Sequence, residues 1–115
     1  MALTFHDDHG VVVVEMTGEL NGMLGAELGQ LFDRLLADSH RQFVIDLQAV
    51  NFIDSAGLSM LVRCFKRVRS SAGNLSLTAL QPSVHRIFAL TRLDRSFDIH
   101  ADVDEAVRCF TGSQA

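Results

Sequence analysis

The 115-residue chain is predicted to fold as an α/β sandwich, a mixed sheet of about five strands covered by about four helices. Three observations predict it. A β-branched run, Val11 to Val14, follows the turn-rich segment His6 to Gly10 and forms an opening hairpin with Leu3 to Phe5. Beyond Asn21, stretches with apolar residues at helical spacing alternate with short apolar runs of strand length. Strands separated by helices pair in parallel through right-handed crossovers, so this alternation dictates a parallel sheet after the hairpin.

Each element has its own signal. The first strand pair is Leu3 to Phe5 with Val11 to Met16, within a segment that extends to Leu20. Leu24, Leu28, Leu31, Phe32 and Leu35 then share one face of a helix that ends around Ala37, with Asn21 or Gly22 as its cap. Phe43-Val44-Ile45-Asp46-Leu47 is a short apolar run bounded by polar residues, as expected of a central strand covered on both faces. The stretch Val50-Asn51-Phe52-Ile53-Asp54-Ser55-Ala56-Gly57 leads from it to an amphipathic helix beginning near Leu58. That helix carries Leu58, Leu61, Val62, Phe65 and Val68 on one stripe and Ser59, Arg63, Lys66, Arg67 and Ser70 mainly opposite, and Ala72-Gly73-Asn74 ends it.

Leu75 to Leu80 alternates as a strand, and Pro82-Ser83 opens a helix with Val84, Ile87, Phe88 and Leu90 inward. Phe97-Asp98-Ile99 is a last short strand. Asp102-Val103-Asp104-Glu105 resembles a capping box ahead of Ala106, Val107 and Phe110, and the tail from Thr111 to Ala115 is expected to fray. No repeat, low-complexity tract or linker divides the chain, so residues 1–115 are expected to form one domain.

Composition narrows the function. A formal net charge of −4 removes the basic footprint of a nucleic-acid binder. No apolar run reaches the roughly 20 residues needed to cross a bilayer, and residues Met1 to Asp8 lack the layout of a signal peptide, so a cytoplasmic location without membrane insertion is expected. Cys64 and Cys109 lie in different predicted helices, outside any CxxC pair, and read as small, partly buried hydrophobes. The eight Phe, with no Trp or Tyr, read as core filling.

Catalytic constellations are absent: there is no GxGxxG, GxxxxGK[ST], HExxH or GxSxG, so the chain is expected not to be an enzyme and to need no cofactor. The five histidines fall mostly at predicted element ends. His6-Asp7-Asp8-His9 reads as a polar hairpin tip rather than a metal site. Asp46 and Asp54 could be imagined as paired carboxylates, but a place inside a strand and a place at a helix cap explain both.

What remains is Asp54-Ser55-Ala56-Gly57. It puts a serine hydroxyl at a helix N-terminus, where orphan N–H groups and the positive end of the dipole favour an anion or a phosphorylated side chain. Serine there can simply be a cap. Two capping residues in succession exceed what one helix end requires, however, which leaves one hydroxyl to spare, and Gly57 lets another backbone come close. Phosphorylation would add about −1.5 to −2 charges and could break a partner interface without unfolding the domain.

Val44-Ile45-Asp46-Leu47, Val50 to Leu58, Leu61 and the basic helix to Gly73, Leu75 to Leu80, and Val84-His85-Arg86-Ile87-Phe88-Ala89-Leu90-Thr91-Arg92-Leu93-Asp94 together resemble the STAS domain of bacterial anti-sigma factor antagonists. Gly18-Glu19-Leu20 stands where that family has a Gly-x-Leu-Asp element, and the likeness spans nearly the whole chain. The resemblance implies a STAS-type sandwich that binds an anti-sigma factor, itself a serine kinase with a histidine-kinase-like ATPase fold, and so frees a sigma factor or another downstream regulator. It further implies that the kinase phosphorylates Ser55 to end the interaction and that a serine phosphatase resets it.

By the same resemblance Asp54, Ser55, Ala56 and Gly57 form the docking loop, and Asn21, Gly22, Met23, Leu24 and Ser59 complete the surface facing the partner. Where the family often has an acidic residue after Gly-x-Leu this chain has Asn21, and where many relatives have a hydroxyl after the motif serine it has Ala56. Two other readings stay open: a constitutive STAS accessory subunit of a membrane lipid-transport ATPase, and a nucleotide or small-anion site at the helix end. An exposed edge strand in the hairpin can pair, so a monomer or weak homodimer is expected.

Overall fold

The computed structural model describes residues 3–111. In chain order the elements are β1 (Leu3–Asp8), β2 (Val11–Leu20), α1 (Gly22–Ala37), β3 (Gln42–Ile53), α2 (Ser55–Ser70), β4 (Asn74–Thr78), α3 (Pro82–Leu90), a 3-10 turn (Leu93–Arg95), β5 (Asp98–His100) and α4 (Val103–Thr111). The strands form one five-stranded sheet in the order β1-β2-β3-β4-β5, antiparallel between β1 and β2 and parallel thereafter. This is the mixed α/β sandwich that the alternation of elements predicts.

Alternate residues of the central strands feed two cores. Val12, Val14, Phe43, Ile45 and Leu47 point into the main core with Leu28, Phe32, Leu61 and Phe88 from α1, α2 and α3. Val11, Val13 and Val44 point the other way, where only α4 covers them, through Ala106 and Val107. The lone helix leaves much of that second face open, and this makes Asp46 half-buried rather than sealed.

Several boundaries differ from the sequence reading. β1 runs on through His6-Asp7-Asp8, because the turn needs only His9 and Gly10, both at positive φ (54° and 86°), the pairing a two-residue hairpin of type I′ twist requires. Asp7 Oδ1 accepts the Gly10 N–H at 2.8 Å and holds the turn. β3 continues past Leu47 to Ile53, and α2 begins at Ser55 rather than near Leu58. β4 stops at Thr78, two residues before Leu80, because Ala79 takes φ +57°, outside extended geometry. β5 is Asp98–His100, one residue later than expected, since Phe97 turns into the core against Phe65 and Phe88 at 4.6 and 5.7 Å between ring centroids.

Leu90, expected inward, is 77% exposed. Two steps of three residues from Val84 rotate about 120° away from the buried stripe, so only Val84, Ile87 and Phe88 stay on it. Cys64 is buried as expected, whereas Cys109 is exposed on α4. His6 and His85 lie inside β1 and α3 rather than at element ends. Asp102 caps α4 by accepting the Glu105 N–H at 2.8 Å, and the Glu105 carboxylate reaches back to Ala101 N at 3.5 Å and His100 Nδ1 at 3.0 Å. Thr111 closes α4; the rest of the tail expected to fray lies outside the described residues.

Candidate functional site

β2 and β3 end side by side, with Leu20 opposite Ile53, and each passes into a helix through one capping residue. Asn21 Oδ1 accepts the Leu24 N–H at 3.1 Å, and Asp54 Oδ1 accepts the Gly57 N–H at 2.8 Å. Both caps have extended backbones, as an N-cap requires. The Asp54 N–H donates to the Leu20 carbonyl at 3.2 Å, tying the start of α2 to the end of β2.

The two helix ends abut. A Cβ placed on Gly22 would lie 3.6 Å from Ala56 Cβ, and one on Gly25 would lie 3.3 Å from Met60 Cβ and 3.8 Å from Gly57 Cα. The closest approach is at Gly57, where a Cβ would stand 2.1 Å from the Leu20 carbonyl oxygen, so the residue must be glycine. Neither helix has an acidic residue in its first turn, so two positive dipole ends face solvent together, offset only by the Asp54 cap.

With Asp54 serving as the cap, Ser55 is the first residue of α2 and its side chain is exposed. Its hydroxyl has no hydrogen-bond partner among the described residues. Asp46 is eight residues of strand from Asp54, about 26 Å, and its Oδ1 accepts the Gln48 N–H at 3.0 Å; the two carboxylates are not a pair.

The residues singled out from sequence fall into two groups. Gly22, Met23, Ser55, Ala56 and Ser59 are exposed on one surface, with Asn21 and Asp54 half-buried between them. Met23, 79% exposed, is its most prominent apolar side chain. Leu24 and Gly57 are buried and can only shape the surface. Ser59 lies one helical turn from Ser55.

The sequence reading did not include the seam below this surface, where Gly25 and Gly29 of α1 receive Met60 of α2. Two glycines four residues apart on a helix face were the available signal. Beside that seam Asp33 and Arg67 pair across the two helices, at the rim of a groove of about 240 Å³ lined also by Phe32, Arg63 and Cys64. Burial pushes the Cys64 thiol up from its ordinary 9.0 to about 12, only partly offset by Arg63, so it stays protonated. Among the described residues no group of three or more His, Cys, Asp or Glu is placed to hold a metal ion, and no helix is long and apolar enough to cross a membrane.

Comparison with known proteins gives a consistent set of matches. The STAS domain model matches residues 2–106. The anti-sigma-F factor antagonist RsfB of Mycobacterium tuberculosis is 27% identical over 114 residues, which are 99% of this chain and 93% of RsfB. The anti-sigma-B factor antagonist of Bacillus subtilis is 34% identical over 73 residues, covering 64% of this chain and 67% of that protein. A crystal structure of an anti-sigma factor antagonist from Mycobacterium paratuberculosis superposes with a TM-score of 0.82 at 32% identity, over 93% of this chain and 91% of that one.

Proposed function

The chain belongs to the STAS domain family of anti-sigma factor antagonists, and on that premise we propose that it acts by partner exchange under the control of Ser55. In the dephosphorylated state it binds an anti-sigma factor and frees a sigma factor or another regulator. The partner is a serine kinase of histidine-kinase-like fold, which phosphorylates Ser55; a serine phosphatase reverses the modification. The protein works in the cytoplasm as a binding module, without catalysis or cofactor of its own.

The observation that carries this reading is the exposed Ser55 hydroxyl, left without a hydrogen bond because Asp54 caps the helix. A group with no structural duty can be modified without loss of the fold. Its neighbours supply the surface: Met23 as an apolar anchor, Gly22, Ala56 and Ser59 around it, and Asn21 and Asp54 as oriented polar groups. Leu24 and Gly57 support that surface from beneath. Before modification, the two adjacent helix N-termini, offset by the single carboxylate of Asp54, favour an acidic group on the partner; a phosphate on Ser55 would occupy that field and repel it.

The test is affinity capture from the native host with wild-type, Ser55→Ala and Ser55→Glu baits, followed by mass spectrometry. Retention of a kinase-like ATPase by the first two baits and its loss on Ser55→Glu is expected. Equal recovery of transporter subunits on all three would make Ser55 a spectator and the protein a constitutive subunit.

A further inference from the structure

We propose that the C-terminal half of α2, α3 and the turn that follows form a second docking surface, which takes an acidic helical segment of a protein partner. Charge is divided unevenly along the chain. Residues 63–95 hold seven of the ten Lys and Arg with a single acid, Asp94, whereas the rest holds three against thirteen. Arg67 is neutralised by Asp33. Lys66, Arg69, Arg86, Arg92 and Arg95 are exposed, and none of them pairs with a carboxylate among the described residues.

An aromatic cluster makes neighbours of the elements that carry these cations. Arg69 lies over the Phe65 ring at 5.6 Å, Phe65 meets Phe97 just beyond the 3-10 turn, and Phe97 meets Phe88 of α3. Leu90 stands four residues after Arg86 on the outward face of α3, the one large apolar side chain exposed in this region. Arg92 follows with φ +62° and ψ +16°, a left-handed conformation that glycine or asparagine would hold with less strain.

The pattern of one apolar knob among unpaired cations fits a helix that offers a small apolar site with carboxylates around it. A membrane surface would demand a broad apolar face, and here Leu90 is alone. The surface is separate from the switch: Arg69 lies fourteen residues beyond Ser55 on α2, about 21 Å along its axis. A partner could therefore stay docked in either phosphorylation state.

The full chain would be titrated with a synthetic amphipathic peptide of about five helical turns, glutamate on one face and leucine on the other, and followed by calorimetry and amide NMR shifts. Saturable binding is expected, with shifts at Arg69, Leu90, Arg92 and Arg95. It should weaken at least roughly tenfold in the Arg69→Glu/Arg95→Glu double variant and with added salt, fall several-fold in Leu90→Ser, and be unchanged in Ser55→Glu. Absence of saturation, equal affinity for the variants, shifts confined to other elements, or preference for phosphatidylglycerol vesicles or duplex DNA over the peptide would each overturn the proposal.

Discussion

Replacing Gly57 by alanine tests how the switch region is built. A Cβ there would meet the Leu20 carbonyl oxygen at 2.1 Å, its carbonyl carbon at 2.7 Å and Leu20 Cγ at 2.9 Å. Ordinary contact of carbon with a carbonyl oxygen is about 3.3 Å, so α2 and β2 must separate by roughly 1 Å. The obstacle is backbone, which no rotamer change can clear. Overpacking of this kind costs about 1–3 kcal/mol, and the separation also strains the 3.2 Å bond from Asp54 N to Leu20 O, worth about 1 kcal/mol.

Against this stands the gain from replacing a helical glycine by alanine, about 1 kcal/mol at most. The net expectation for Gly57→Ala is a loss of about 1–3 kcal/mol, or roughly 10 °C in Tm at the middle of that range. Gly22→Ala is the internal control, because its Cβ would meet Ala56 Cβ at an ordinary 3.6 Å; its stability should stay within about 0.5 kcal/mol of wild type or rise. Urea denaturation followed by circular dichroism measures both, with an unchanged m-value confirming that the native state is intact. Equal stability of Gly57→Ala and wild type, or an equal loss in Gly22→Ala, would refute the close approach as the reason for glycine.

Asp54→Ala should cost about 1 kcal/mol in the same assay while Asp54→Asn costs much less, since the amide oxygen can still accept the Gly57 N–H. A thiol reagent at neutral pH should label one cysteine of the native protein, the exposed Cys109, and both after unfolding; prompt labelling of Cys64 would contradict its burial. The Cys64 thiol is raised from 9.0 to about 12, so the unfolded state loses its proton first as pH rises. Stability from this group is therefore fully present below pH 9.0 and is lost between there and about 12, at up to about 1.4 kcal/mol per pH unit, and Cys64→Ala should abolish that slope.

The helix α1 was legible to the residue at its C-terminus because its buried stripe, Leu24 to Leu36, is unbroken and Asn21 is a strong cap. The second half of β3 was not. Its ladder with β2 shifts register twice: Glu15 and Thr17 face Asp46 and Ala49, then Gly18 and Glu19 face Val50 and Phe52. Each shift adds a residue to β3, so its buried positions Leu47, Val50 and Ile53 fall three apart, and the alternation that marks a strand disappears. The start of α2 was obscured for a different reason, since Ala56 and Gly57 show no apolar stripe and a glycine in the first turn reads as loop.

At the candidate site, the sequence made the spare hydroxyl of Ser55 legible because Asp54 precedes it, and the close backbone approach legible from Gly57. What it concealed was tertiary. That the ends of α1 and α2 lie side by side follows from the pairing of Leu20 with Ile53, two residues far apart in the chain. Likewise Gly57 looks like a member of the docking loop, and Leu24 like part of the surface facing the partner, until the packing of both helices buries them.

The most direct test of the switch is to incubate the purified protein with ATP and the kinase-like partner recovered from its host, map the modified residue by mass spectrometry, and measure affinity for that partner by calorimetry before and after. A single phosphoryl group on Ser55, none on Ser55→Ala, and an affinity at least roughly a hundredfold weaker after modification are predicted, in keeping with the loss of a hot-spot contact. Modification at another residue, or a phosphorylated form that binds as tightly as the unmodified one, would contradict the account.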